Sequence, residues 1–207
     1  MAAAPLSRAV KPEPAALGLV ALALAVYWAL YALSARLGDF AATRYHFYFE
    51  WERNIPLVPA AALVYLSITF MLIPLLQALP TARQLWPVAV TLIFQGLVAS
   101  LCFWLVPLED GFPSHPPVTG WDGRIWELSN QLALRHNYFP SLHVTLATSA
   151  ALVLSRRRGR VDWPMVLWAA AIALSTLFVH QHHVADVLGG LVLALAGVHL
   201  VYDRLAK

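Results

Sequence analysis

Uncharged apolar runs alternate along this chain with short charged connections. Six runs stand out: 14–35, 54–82, 84–108, 136–155, 163–181 and 187–202. A helix that crosses a bilayer needs about 20 apolar residues, with a range of roughly 17–25. The first three runs meet that comfortably. The fourth and fifth meet it when their histidine-bearing ends reach the interface. The sixth is short, so Asp186 belongs to its first turn. The pattern predicts an all-α integral membrane protein. It forms one domain over 1–207, a six-transmembrane-helix bundle with spans near 15–35, 55–79, 86–108, 140–155, 163–181 and 184–203.

Composition sharpens this picture. The chain is 60% hydrophobic and 12% charged, about half the charge of an ordinary soluble domain. Net charge is +3. The arginines form one tight run without interleaved stacking aromatics, so nucleic acid is excluded as a partner. In a membrane chain, basicity reports orientation. Nine Lys and Arg fall on one side: Arg8, Lys11, Arg83, Arg156, Arg157, Arg158, Arg160, Arg204 and Lys207. Five fall on the other: Arg36, Arg44, Arg53, Arg124 and Arg135. The nine-charge side is expected to be cytoplasmic, with both termini on it. The protein is expected in a bacterial inner membrane. The first run is longer than a secretory signal core of roughly 7–15 residues, so it reads as a retained span. Cys102 is the single cysteine, so the chain has no internal disulfide.

Two outward loops are long. Residues 37–53 carry Phe40, Tyr45, Phe47, Tyr48, Phe49 and Trp51, which suit the headgroup region. Within 109–135, Trp121, Ile125, Leu128 and Leu132 recur at helical spacing. They predict an amphipathic helix, either lying in the interface or packed on the bundle.

The chemistry concentrates in two short motifs at run edges, Pro140 to His143 (PSLH) and His182 to Asp186 (HHVAD). Ionisable groups at a membrane span are costly and mark function. Both motifs fall on the outward side, which places an outward-facing active site at one rim. Pro140 is expected to open a helix. The backbone N–H groups of that first turn, Leu142 among them, with the Ser141 hydroxyl, form an anion site. His143 lies in the same turn. An imidazole, titrating near about 6.5 in water, can act as an acid and then as a base. His182 and Asp186, four apart, share one helix face. The carboxylate can orient the imidazole as in a catalytic triad, with His182 the nucleophile toward phosphorus. Gly189 and Gly190 permit close helix approach.

These residues resemble the type 2 phosphatidic acid phosphatase superfamily, in the PSLH-bearing branch that includes inositol phosphorylceramide synthases. Residues 175–190, STLFVHQHHVADVLGG, resemble its third motif, and 54–59 with Tyr65 resemble a further segment of the branch. The resemblance implies a six-helix membrane core. It makes His143 the general acid, His182 the nucleophile and Asp186 its orienter. The implied activity is a lipid phosphatase or phosphotransferase working through a phosphohistidine, metal-independent and without a cofactor. A membrane lipid is the substrate, with water or an alcohol as acceptor. Two features depart from the family pattern. Thr176 stands where the third motif usually has arginine. The lysine and Arg-Pro pair of the first motif are missing, with Pro107 and His115-Pro116 in that region. Arg53, Arg124 or Arg135 are the candidates to replace these phosphate-binding cations.

Other readings of the same residues stay open. His180, His182 and His183 with Asp186 could hold a metal, although adjacent histidines project apart on a helix. His183 is a second candidate nucleophile, three residues from Asp186. His115 and His136 read as loop residues and His199 as structural. Ser67, Thr69 and Gln95 read as helix-to-helix hydrogen bonders. A proton-relaying transporter would place ionisable groups near the midplane, whereas these cluster at a rim. A degenerate lipid-binding protein would keep the fold and form no phosphohistidine. A homodimer is compatible with the sequence.

Overall fold

The structure, a computed structural model, describes residues 11–134 and 136–207. Among these the regular elements are helical, and the sole β pairing is an isolated bridge between Tyr45 and Leu108. Seven helices organise the fold: α1 (Pro14–Asp39), α2 (Pro59–Ala78), α3 (Ala82–Leu105), α4 (Trp121–Leu132), α5 (Leu142–Arg158), α6 (Trp163–Phe178) and α7 (Val184–Leu205). Four of them, α1, α2, α3 and α7, are long and apolar enough to cross a membrane. The 17-residue α5 and 16-residue α6 span roughly 24–26 Å at 1.5 Å per residue.

The sequence of each helix explains its packing. In α1 the buried positions are Ala16, Ala23, Tyr27, Ser34, Ala35 and Gly38; all but Ala35 recur alternately seven and four apart, which is one stripe of the helix surface. That stripe lies along α3, where a Cβ added at Gly96 would stand 3.0 Å from the Tyr27 ring. The other face exposes Leu22, Trp28 and Leu33, an apolar surface that suits lipid rather than water. Pro14 opens α1 with the φ it needs, and Glu13 N–H donates to Pro80 O at 2.9 Å.

Helix α2 is irregular for identifiable reasons. Pro74 removes one backbone donor, and the Ser67 and Thr69 hydroxyls donate to Val64 O and Leu66 O, three residues back. The stretch Ser67–Met71 accordingly winds as a 3-10 helix. Thr81 and Gln84 form a capping box at the start of α3. Gly159, at φ 64, ends α5 in the left-handed conformation glycine favours.

Helix α5 is the central element, packing on α2, α3, α6 and α7, with Val144, Ala147, Ala151 and Leu154 buried. Its contact with α7 is close because Gly190 has no side chain: a Cβ there would meet Ser141 O at 2.6 Å and Val144 Cβ at 2.9 Å. Gln95 of α3 donates to Ser149 of α5 at 2.8 Å and to Leu193 O of α7 at 3.4 Å, the interhelical role its sequence position suggested. Ser67 accepts from Trp168 Nε1 at 2.8 Å and so links α2 to α6, whereas Thr69 donates to Leu66 O within its own helix.

Several boundaries differ from the sequence expectation, and three of them have a local cause near the two motifs. The second apolar run does not begin as a spanning helix at Asn54, because Glu50–Asn54 is a separate 3-10 turn and the helical stretch begins at Pro59. The fifth ends at Phe178 rather than 181, because His180 takes φ 59 and breaks the helical path. The fourth begins at Leu142, with Ser141 as its N-cap, so Pro140 precedes the helix instead of opening it.

Helix α4 forms as predicted. Of its predicted stripe, Trp121, Leu128 and Leu132 are exposed, while Ile125 packs with Trp126 against Ala62, Tyr65 and Val179. Trp126 Nε1 also donates to Val179 O at 3.0 Å. The helix therefore anchors through one edge and presents its remaining apolar residues outward.

Candidate active site

Two helix N-termini meet at one end of the bundle. Ser141 N–H, at the start of α5, donates to Asp186 O in the first turn of α7 at 2.9 Å. Thr145 Oγ1 donates to Gly190 O at 3.2 Å. These bonds set the PSLH and HHVAD motifs side by side. The His143 and His182 rings lie 6.4 Å apart between centroids, and both line one cavity of about 500 Å³.

Each imidazole is held from behind. Tyr65 of α2 stacks on His143 with centroids 3.9 Å apart. His182 N–H donates to Thr176 O at 3.2 Å, as Gln181 N–H does at 3.0 Å, so the Thr176 carbonyl gathers the turn that carries His182. His182 precedes α7 rather than riding on it, and it reaches Asp186 because the chain bends into the helix. Its Nδ1 stands 3.5 Å from Asp186 Oδ2. That is ion-pair range, beyond a well-formed hydrogen bond. Among the described residues, His182 Nδ1 and Asp186 Oδ1 are buried without a hydrogen-bond partner. Unmet buried groups are few in native structures and call for a cause such as a catalytic role or a bound water, and catalytic hydrogen bonds are commonly loose without ligand. Asp186 Oδ2 also accepts from His183 N–H at 2.8 Å, which pins the carboxylate at the N3 position of α7.

His183 is differently placed. Its Nδ1 donates to Glu52 Oε2 at 2.9 Å and its Nε2 accepts from Gly111 N–H at 3.3 Å. Both ring nitrogens are engaged. Glu52, wholly buried, also accepts from Val184 N–H at 2.8 Å and Phe49 N–H at 3.0 Å. The Phe112 ring stacks on His183 at 4.2 Å and on His180 at 4.0 Å, and Tyr48 stacks on His183 at 4.8 Å. His180 Nε2 donates to Ile55 O at 2.9 Å, so its Nδ1 accepts from His115 Nε2 at 2.8 Å. Burial pushes the His180 imidazole below the usual histidine range. Among the described residues, His180, His182 and His183 therefore turn toward different partners and do not converge on one point.

The remaining predicted residues separate into those at the pair and those away from it. Leu142 lines the cavity, and its first-turn amide faces no intrahelical acceptor. Ser141 is fully buried and its Oγ accepts from Val144 N–H at 3.5 Å, so the hydroxyl serves first as an N-cap. Arg53 is half exposed and pairs with Glu50 at 3.4 Å. Arg124 lines a separate cavity with His115, Trp126 and Gln131. Arg135 lies outside the described residues. Among the described residues, no Lys or Arg lines the cavity at His143 and His182. Thr176 cannot stand in for the arginine of the family pattern, because its side chain is buried and donates to Ala173 O at 2.7 Å. Asn130, Asn137, Tyr138 and Gln181 also line the cavity, and Gln181 Nε2 donates to Asn130 Oδ1.

Glu52 and Asn130 had no role in the sequence reading. A signal for Glu52 was present: it is an acid inside an aromatic run at the edge of a span, where an unpaired charge is costly. Nothing in the sequence paired it with His183, 131 positions away.

Buried histidines and carboxylates thus gather at one end of an all-helical apolar bundle. The PAP2 superfamily model matches residues 84–207, and the chain belongs to that superfamily. A 57-residue stretch, 28% of this chain, is 35% identical to undecaprenyl-diphosphatase BcrC of Bacillus subtilis (strain 168). The stretch covers 30% of that relative's length. No solved structure matches the chain.

Proposed function

We propose that this protein is an integral-membrane lipid phosphatase that removes phosphate from a lipid ester or anhydride through a phosphohistidine. The observation that carries the reading is the His143–His182 pair, facing across one cavity with Asp186 behind His182. His182 Nε2, the nitrogen away from Asp186, attacks phosphorus. The P–O bond to the lipid breaks, and His143 donates a proton to the departing oxygen. His143 then takes a proton from water as that water attacks the phosphohistidine. The P–N bond breaks and inorganic phosphate leaves. Asp186 stabilises the imidazolium and fixes the tautomer, and the first-turn amides of α5 bind phosphate oxygens. The chain uses no metal in this scheme. The similarity to an undecaprenyl-diphosphatase supports a lipid diphosphate among the substrates.

The reading includes six spans in one domain, α5 and α6 completing the four long helices. Arg83, Arg156, Arg157, Arg158, Arg160 and Arg204 sit at the bundle end opposite the histidines, which supports cytoplasmic termini and a site facing the periplasm. A second reading replaces water with an alcohol acceptor, as in the inositol phosphorylceramide and sphingomyelin synthases. It is favoured by one observation, the cavity's lack of Lys and Arg among the described residues. The test is phosphate release from lipid phosphates by purified protein in EDTA, beside His182→Ala. Release that survives EDTA and disappears in the variant supports a metal-independent phosphatase. Release only when an alcohol is added, as the phosphorylated alcohol, supports the transferase. Release abolished by EDTA overturns the metal-independent scheme.

A further inference from the structure

Of the eight histidines in the chain, all but one have a polar partner on the ring. Carboxylates stand beside His46, His182, His183 and His199. The His136 and His180 rings bond to the backbone carbonyls of Leu108 and Ile55, and His115 bonds to His180. Among the described residues, His143 is the exception. Its ring neighbours are aromatic: Tyr65, stacked at 3.9 Å between centroids with 23° between the planes, and His182 at 6.4 Å. Tyr65 is itself fixed. It is 4% exposed and packs with Ala62, Val179, Ile125 and Trp126. The bond from Trp126 Nε1 to Val179 O, at 3.0 Å, ties those neighbours together.

We propose that Tyr65 is the positioning residue for His143 in proton transfer to the departing oxygen. The inference rests on the proposed reading of the histidine pair. An imidazole turns about its Cβ–Cγ bond, a broad torsion without sharp staggered wells. Where no hydrogen bond holds the ring, packing alone sets its plane. A tyrosine ring lying nearly parallel on one face blocks that turn, because rotation would drive the imidazole edge into the phenol ring. The face contact engages neither ring nitrogen. A carboxylate such as Asp186 behind His182 holds its histidine through one nitrogen. His143 has to give a proton in the first half of the reaction and take one from water in the second. Stacking sets its direction while leaving both nitrogens open. Direction matters, because a misplacement of about 1 Å at a reacting group can cost about 10²-fold. Tyr65 acts through His143: the proton passes from the imidazole to the oxygen as the P–O bond breaks, and the phenol ring carries no proton in either step.

The experiment follows alcohol or phenol release in the first turnover by the full chain in detergent. The substrates are phosphate monoesters running from an alkyl ester to a nitrophenyl ester. An alkoxide must be protonated as it leaves, whereas nitrophenolate leaves without help. Each variant is read as its own ratio of nitrophenyl to alkyl rate, so a loss of folded protein cancels. His143→Ala sets the limit for a missing acid, and its ratio should rise by roughly 10²–10⁴. Tyr65→Leu stays apolar but removes the flat face, and its ratio should rise by roughly 10- to 100-fold. Tyr65→Phe should return the ratio to that of wild type. A ring that only fills space would lower both rates alike. An unchanged ratio in Tyr65→Leu, or loss of both rates together, therefore overturns this inference alone. So does a ratio in Tyr65→Phe as high as in Tyr65→Leu, which would assign the effect to the hydroxyl. No release by wild type from any ester, or an unchanged ratio in His143→Ala, overturns the reading of the histidine pair as well.

Discussion

Two histidine–carboxylate pairs stand side by side at the start of α7, and they are built in opposite ways. His183 and Glu52 are closed: 2.9 Å apart, both imidazole nitrogens engaged, the carboxylate accepting from two further N–H groups. Aromatic rings stack on the imidazole. His182 and Asp186 are open: 3.5 Å apart, with His182 Nδ1 and Asp186 Oδ1 unpartnered among the described residues and the imidazole bordering the cavity. A saturated buried pair fixes a conformation, whereas an unsaturated one retains capacity to bind and react. Adjacent residues of one type thus divide the work. Glu52–His183 clamps the segment at Phe49–Glu52 and the Gly111 segment onto α7, beside the turn that carries His182.

Exchanging the roles of the two histidines gives the largest expected effect. His182→Ala should lose phosphate release entirely while its melting temperature stays near wild type. His183→Ala should instead fail in stability, because it removes one of the three donors to the buried Glu52 carboxylate, a loss of about 1.5–3 kcal/mol. Turnover and thermal melting of both variants in detergent check the contrast. The carboxylates divide in the same way at smaller magnitude. Asp186→Asn keeps an acceptor for His183 N–H but loses the charge behind His182, so kcat should fall by roughly 10²–10⁴ with little change in melting. Glu52→Gln presents an amide N–H to one of three donors, and melting should fall by more than kcat does.

This division was only half legible in the sequence. Both motifs, their shared end of the bundle and the place of Asp186 in a first turn could be read, because ionisable residues at the edges of apolar runs are rare and costly. Spacing also favoured His182 over His183. The closed pair could not be read, since Glu52 and His183 meet through tertiary packing of a loop with no periodic signal. The helix start at Leu142 was missed for a local reason: Pro140 suits a first helical position, but Ser141 makes the better cap. The phosphate-binding cations were the weakest expectation. Arg53 and Arg124 lie on the correct side of the bundle, yet side assignment does not bring a loop residue to the cavity.

Smaller effects sharpen the boundary of the closed region. The native protein holds His180 below its unfolded titration range, so the unfolded chain binds more protons as pH falls below about 6.5. Stability should therefore decline on acidification through that range. His180→Asn, which tolerates the positive φ, should flatten the decline when melting is followed from neutral to mildly acidic pH. Arg53→Ala should change kcat/KM by less than about twofold, because the side chain is half exposed and paired with Glu50 at the surface. A larger loss would bring Arg53 back as a phosphate ligand.

The most direct test of the open pair is to catch the phosphoryl group on the protein. Purified chain is mixed with a lipid phosphate, quenched at alkaline pH within the first turnover, and its peptides are mapped by mass spectrometry for phosphohistidine. Phosphate on His182, accumulating further in His143→Ala given a substrate with a good leaving group, is the predicted result. Phosphate on His183, or turnover with no phosphohistidine at any quench time, would contradict the account.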